Sequence, residues 1–198
     1  MADTRLLFAT PLHRSEMLDA ERLDELADTI RYLAEEDEAG QEWAEEKNYR
    51  GYTSYASLDD LVTRDPVIGD LKPLLTRRAR AFAKDIGWDY RPTLDHLWVN
   101  LMEPGAHHSS HLHPHSVLSG TLYVEIPEGA GAIRFEDPRH AMMMAAPLRR
   151  DDAPEHLQPF VTIAPKAGTL LLWESFLRHE VLPHPGPGER LSISFNFA

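Results

Sequence analysis

A chain of 198 residues is long enough for one domain with a sizeable core, and its lack of cysteine excludes disulfides, thiolate metal sites and cysteine nucleophiles. The formal net charge of −12 is concentrated, because residues 16–46 hold thirteen acids against two bases, Arg22 and Arg31. Such a run reads as a solvated helical face, and the absence of a basic patch argues against a nucleic-acid binder.

The N-terminal segment MADTRLLFATPLHRSE has an acid at position 3 and no long apolar stretch, so it does not resemble a secretory signal. No apolar run approaches the roughly 20 residues that cross a bilayer. A cytoplasmic protein without a membrane partner is the expectation. Residues 6–10 (LLFAT) read as a first strand. From Ser15 to about Ala39, Leu18, Leu23, Leu26, Ile30 and Leu33 recur at three- and four-residue steps, which predicts an amphipathic helix with Ser15 as N-cap. Ser57 followed by Asp60 suggests a short capped helix. A further helix is predicted over Asp70–Ile86, burying Leu71, Leu74, Leu75, Ala79, Phe82 and Ala83, with Pro73 near its first turn and Gly87 as its stop.

After residue 92 the apolar period changes to two. Segments 96–102, 117–126, 131–137, 159–164, 168–174, 177–183 and 190–197 alternate, separated by Pro, Gly and Asp turns. With 6–10 that makes about eight short strands without intervening helices, an antiparallel sandwich or barrel. The expected architecture is mainly β with N-terminal helices packed on one outer face. The whole of 1–198 forms a single domain in this reading, residues 1–92 being helical support and 93–198 the β core.

Five of the eleven histidines fall within residues 107–115. Neutral imidazole is a first-choice ligand for iron, zinc, copper and nickel. His111 and His113 stand two apart, so in an extended strand both leave the same face as a two-toothed clamp. A third ligand must then come from a distant strand, and His179, flanked by Leu177 and Val181, is the candidate. Plainer readings exist for each: a histidine-rich surface loop, and a hydrogen-bonded core His179. In the last strand, Arg190, Ser192, Ser194 and Asn196 share one face, with Leu191, Ile193, Phe195 and Phe197 on the other. An arginine aimed at a polar cavity is a two-pronged carboxylate binder. A solvent-facing strand is its plainer alternative. Tyr123 shares a face with Ser119, Thr121 and Glu125, where its phenol either donates to a carboxylate or fills the barrel mouth.

The order His-x-His, distant His, then Arg-x-Ser resembles the Fe(II)/2-oxoglutarate-dependent dioxygenase superfamily, and more narrowly a bacterial and phage subfamily of 2-oxoglutarate/Fe(II) oxygenases. The matching pieces are 111–127, 135–139, 168–183 and 190–197, with Thr53-Ser54 and Trp98-Val99-Asn100 also similar. The resemblance implies a double-stranded β-helix (a cupin-like jelly roll). It implies that His111, His113 and His179 hold Fe(II), and that Arg190, helped by Ser192 and Tyr123, binds the distal carboxylate of 2-oxoglutarate. No further catalytic side chain is implied. Three departures stand out. His113 occupies a position usually held by Asp or Glu, so the ligand set carries no charge. His108 stands where Asn is expected, and with His115 it offers an alternative ligand. Trp173-Glu174 replaces a more usual Phe-Pro.

The leading function is a non-heme Fe(II) dioxygenase coupling 2-oxoglutarate decarboxylation to hydroxylation of a small-molecule or peptide substrate. The alternatives are a cupin-like three-histidine dioxygenase that binds its substrate directly, and a non-catalytic metal-binding module. A hydrolytic zinc enzyme is disfavoured, since no Glu stands beside the histidine pair as a base. Segments 40–56 and 138–158 are candidates for a substrate lid, and a homodimer is the expected assembly.

Overall fold

The computed structural model describes residues 3–198. The chain opens with strand β1 (Leu12–Glu16), followed by helices α1 (Ala20–Glu36) and α2 (Glu38–Glu46), strand β2 (Gly51–Thr53), and helices α3 (Leu61–Arg64), α4 (Pro66–Gly69) and α5 (Leu71–Asp85). Strands β3 (Leu94–Met102), β4 (His108–His111), β5 (Leu118–Glu125), β6 (Ile133–Glu136), β7 (Phe160–Ile163), β8 (Thr169–Glu174), β9 (His179–Val181) and β10 (Arg190–Phe197) complete it.

The strands form two antiparallel sheets, one of six in the order β1-β8-β5-β10-β3-β2 and one of four in the order β4-β9-β6-β7. This is the antiparallel sandwich expected from the alternation, with the jelly-roll form that the resemblance implied. On its outer face the six-stranded sheet buries Leu97, Val99, Leu122, Leu170, Leu172, Ile193 and Phe195 against Leu26, Ile30 and Leu33 of α1 and Leu75, Ala79 and Phe82 of α5. The apolar stripes of both helices therefore meet one sheet face, and the opposite face is left to line a space between the sheets. A smaller apolar cluster around Tyr123, Ile133, Phe135, Leu171, Trp173 and Leu177 fills part of that inner space.

Several local expectations are corrected. Ser15 is not a helix cap: it lies in β1 opposite Leu170, and the first helix starts later, with the Asp19 carboxylate accepting from the Arg22 backbone N–H at 3.1 Å. A strand residue can thus read as a cap, and Asp19, four residues on, is as good a cap as Ser15. Residues 6–10 form no strand, and Leu6, Leu7 and Phe8 are exposed. Helix α3 follows Asp60 without a side-chain cap, whereas α5 covers nearly the expected span and stops before Gly87, whose φ of +81° a glycine adopts without strain. The alternation of β5 breaks at its end. A register shift against β10 at Leu191/Ser192 takes Glu125 off the face of Tyr123, and its carboxylate pairs with Arg31 of α1 at 2.8 Å.

Candidate active site

Strands β4 and β9 pair so that His111 lies directly opposite His179. The ring centroids are 4.3 Å apart, and His113 comes within 5.2 Å of His111 and 5.3 Å of His179. One nitrogen from each of the three lies within 4.8 Å of the others. The expected strand geometry holds only in part. Strand β4 ends at His111, and His113 sits beyond it, fixed by its backbone N–H donating to Ser175 O at 3.1 Å. The clamp is closed by the turn and by β9, not by strand alternation.

Each imidazole has its Nδ1 engaged. In His111 and His179 it faces the backbone carbonyl two residues earlier, Ser109 O at 2.7 Å and Leu177 O at 3.0 Å. In His113 it lies 3.3 Å from the Asn196 side-chain amide. In His111 and His179 the Nδ1–H tautomer that these carbonyls select leaves Nε2 with its lone pair free, whereas the Asn196 contact to His113 comes from an amide nitrogen and makes no such selection. Burial, with a smaller effect from neighbouring imidazoles, lowers the pKa of His179 to about 3 and of His113 to about 4, so both are neutral near pH 7. Three convergent imidazole nitrogens fit a divalent transition metal.

Next to this triad lies a cavity of about 680 Å³, within the usual size for a small-molecule site. Arg190 lines it at only 2% exposure. Its Nη1 donates to Ser192 Oγ at 3.2 Å and approaches Met102 Sδ at 3.3 Å, and its guanidinium carbon stands 5.1 Å from the Tyr123 ring centroid. Among the described residues no carboxylate pairs with it, and both its Nε and the Tyr123 hydroxyl are buried without a hydrogen-bond partner. A buried guanidinium with spare donors is costly on its own and fits an incoming carboxylate. Burial pulls its pKa below the ordinary arginine value, while the Tyr123 and Tyr49 phenols oppose that pull.

His108 and Tyr49 extend this end of the site. The Tyr49 hydroxyl and His108 Nε2 are 2.8 Å apart, so that nitrogen is already engaged and His108 is outside the three-histidine cluster. Burial first, then the Arg190 charge, holds the His108 imidazole down to about 3. His115 is exposed and does not line the cavity. Sequence reasoning singled out His108 but missed Tyr49, since nothing in a lone Tyr after an acidic helix signals a cavity wall. Of the two segments read as lids, 40–56 supplies Trp43, Tyr49 and Tyr55 to the cavity. Segment 138–158 contributes nothing to it and borders a separate, smaller cleft.

A family model described as "Putative 2OG-Fe(II) oxygenase" matches residues 96–196, just over half of the chain, including the triad and Arg190. The chain belongs to the 2OG-Fe(II) oxygenase family. Its members are oxidoreductases using Fe(II) and 2-oxoglutarate, and the donor set just described suits both. No curated protein matches the sequence of this oxygenase. Among solved structures, it is similar to a prolyl-4-hydroxylase of Pseudomonas putida at 20% identity, covering 95% of this chain and 92% of that one with a TM-score of 0.62. It is also similar to the epimerase SnoN in complex with Fe3+, alpha ketoglutarate and nogalamycin RO, at 18% identity, 96% and 79% coverage and a TM-score of 0.66. A 2OG-Fe(II) oxygenase family oxidoreductase from Burkholderia pseudomallei shares 19% identity over 69% of this chain, which spans 58% of that protein's length, with a TM-score of 0.51. These likenesses show the double-stranded β-helix fold. Among the described residues, no helix is long and apolar enough to cross a membrane.

Proposed function

We propose that His111, His113 and His179 hold the Fe(II) of this oxygenase, and that Arg190, with Ser192 and Tyr123, binds the distal carboxylate of 2-oxoglutarate. When bound, iron and 2-oxoglutarate supply oxidative chemistry: O₂ is consumed, the 2-oxo acid becomes succinate and CO₂, and the second oxygen atom oxidises the substrate. What the chain contributes is placement. Carbonyl groups behind His111 and His179 orient their rings, and the Asn196 amide braces His113. The inner sheet faces keep the cosubstrate anchor out of bulk water, and a charge-assisted contact is strongest in such a buried site.

One observation carries this reading: a guanidinium 2% exposed, without an acidic partner among the described residues, lining the same cavity as the triad. A direct-substrate three-histidine dioxygenase or a passive metal module has no use for such an anchor. The substrate is a small molecule or an extended peptide segment, as the cavity volume allows. The test is an anaerobic titration of 2-oxoglutarate into the Fe(II) protein. A visible metal-to-ligand charge-transfer band that saturates with 2-oxoglutarate is expected. Stoichiometric iron with no such band would replace this reading by the direct-substrate one.

A further inference from the structure

The chain holds 32 Asp and Glu against 20 Lys and Arg, yet among the described residues no acid lines the cavity, while Lys47, Arg50 and Arg190 all do. The exclusion is sharpest on α2. Its acids Glu38, Glu42, Glu45 and Glu46 all stay off the cavity, whereas Trp43 of the helix and Lys47, which caps its C-terminus, line it. Arg50 follows on the same segment, exposed, with no acidic partner among the described residues. Lys47 pairs only with its exposed neighbour Glu46, a contact of little strength.

The wall nearest the metal ligands is aromatic and donor-rich. Tyr55 packs edge-on to Trp98 at 5.1 Å, and Trp98 stands 6.0 Å from His113. Beside them the Asn100 side-chain oxygen accepts from Thr53 Oγ1 at 2.9 Å, and its amide nitrogen donates to Ser194 Oγ at 3.2 Å. With one lone pair of the Asn100 oxygen engaged by Thr53, this row still offers a cavity occupant one amide N–H and the Ser194 hydroxyl hydrogen.

We propose that the prime substrate is a small molecule bearing an oxyanion, carboxylate or phosphate, on a flat apolar body. The charge rests at the mouth against Lys47 and Arg50, and the body lies along Tyr55 and Trp98, which brings it beside the triad. The inference rests on the 2-oxoglutarate reading, because that reading occupies Arg190 with the cosubstrate and leaves the two mouth cations for another anion. An amine-bearing substrate would meet cations and donors with no counter-charge, the arrangement that rejects a wrong partner.

The experiment is calorimetric titration of the anaerobic Fe(II)–2-oxoglutarate complex with 3-phenylpropanoate, phenyl phosphate and 3-phenylpropylamine, in wild type and a Lys47→Gln/Arg50→Gln variant. At least one acid should bind about tenfold or more tighter than the amine, and the stronger acid identifies the oxyanion. The variant should weaken acid binding by roughly three- to tenfold, since both cations are exposed. Amine binding equal to the acids overturns the proposal, as does acid binding untouched in the variant. So does a wild-type complex that shows its 2-oxoglutarate band yet binds neither acid. Loss of that band in the variant also overturns it, by assigning these cations to the cosubstrate. If wild type shows no band at all, what fails is the 2-oxoglutarate reading itself.

Discussion

His111 and His179 stand directly opposite each other across the β4–β9 pair, their ring centroids 4.3 Å apart. Residues 68 positions apart in the chain (179 − 111) are thus held by backbone hydrogen bonds before any metal arrives. His179→Ala should therefore abolish stoichiometric Fe(II) or Zn(II) binding while leaving the fold intact, whereas His107→Ala and His140→Ala should retain the metal. Metal analysis after dialysis, with circular dichroism as the folding control, decides the matter. Full occupancy in His179→Ala would sink the assignment.

Arg190→Ala should bind iron normally and lose 2-oxoglutarate. Truncating one partner of a buried charged contact costs about 2–5 kcal/mol, roughly 30- to several-thousand-fold in affinity. Arg190→Lys should recover only part, because a point charge cannot reproduce a two-pronged contact. Anaerobic titration of the charge-transfer band in all three proteins is the measurement. Equal affinities would place the anchor elsewhere.

The metal-free protein should lose stability on mild acidification. His108, His113 and His179 have pKa values of about 3, 4 and 3 when folded, against roughly 6.5 when unfolded. Above that unfolded value both states are neutral and nothing is gained or lost. As pH falls below it the unfolded chain takes up protons that the folded one refuses, so stability declines until the folded values are reached. Each fully depressed histidine contributes about 1.4 kcal/mol per pH unit, and the half-buried His108 and His113 contribute less. Urea melts at pH 7.5 and 5.5 should show the drop, and His108→Asn should lessen it. Midpoints independent of pH would show that these rings protonate freely in the folded state.

Gly120 is a packing constraint in the middle of β5. A Cβ there would stand 2.4 Å from Phe195 Cε2 and 2.7 Å from Leu171 O. Overpacking of this kind costs about 1–3 kcal/mol, and here one of the atoms in the way belongs to the backbone. Gly120→Ala should lower the urea midpoint by a corresponding amount, and an unchanged midpoint would contradict the close approach of these strands.

The sequence by itself determined the elements whose cause is local. Period-two alternation located β3, β5 and β10, and the helical stripe of Leu71, Leu75, Ala79 and Phe82 located α5, because side-chain direction is set by the backbone repeat. Placing Arg190 and Ser192 on one polar face needed nothing more than that repeat. Tertiary structure decided what depends on distant pairing. Ser15 reads as a cap but is claimed by the edge of the six-stranded sheet, and Glu125 leaves its face through a bulge that only the partner strand reveals. His113 joins His111 through a turn held by Ser175, and His108 is kept out of the three-histidine cluster by Tyr49, 59 residues away in the chain. No local pattern encodes such partners, since a hydrogen bond between remote residues exists only once the sheets have closed. The same closure sorts the charge around α2, keeping its acids off the cavity while Lys47 at its C-terminal cap lines it, which composition alone reads as one undivided acidic face.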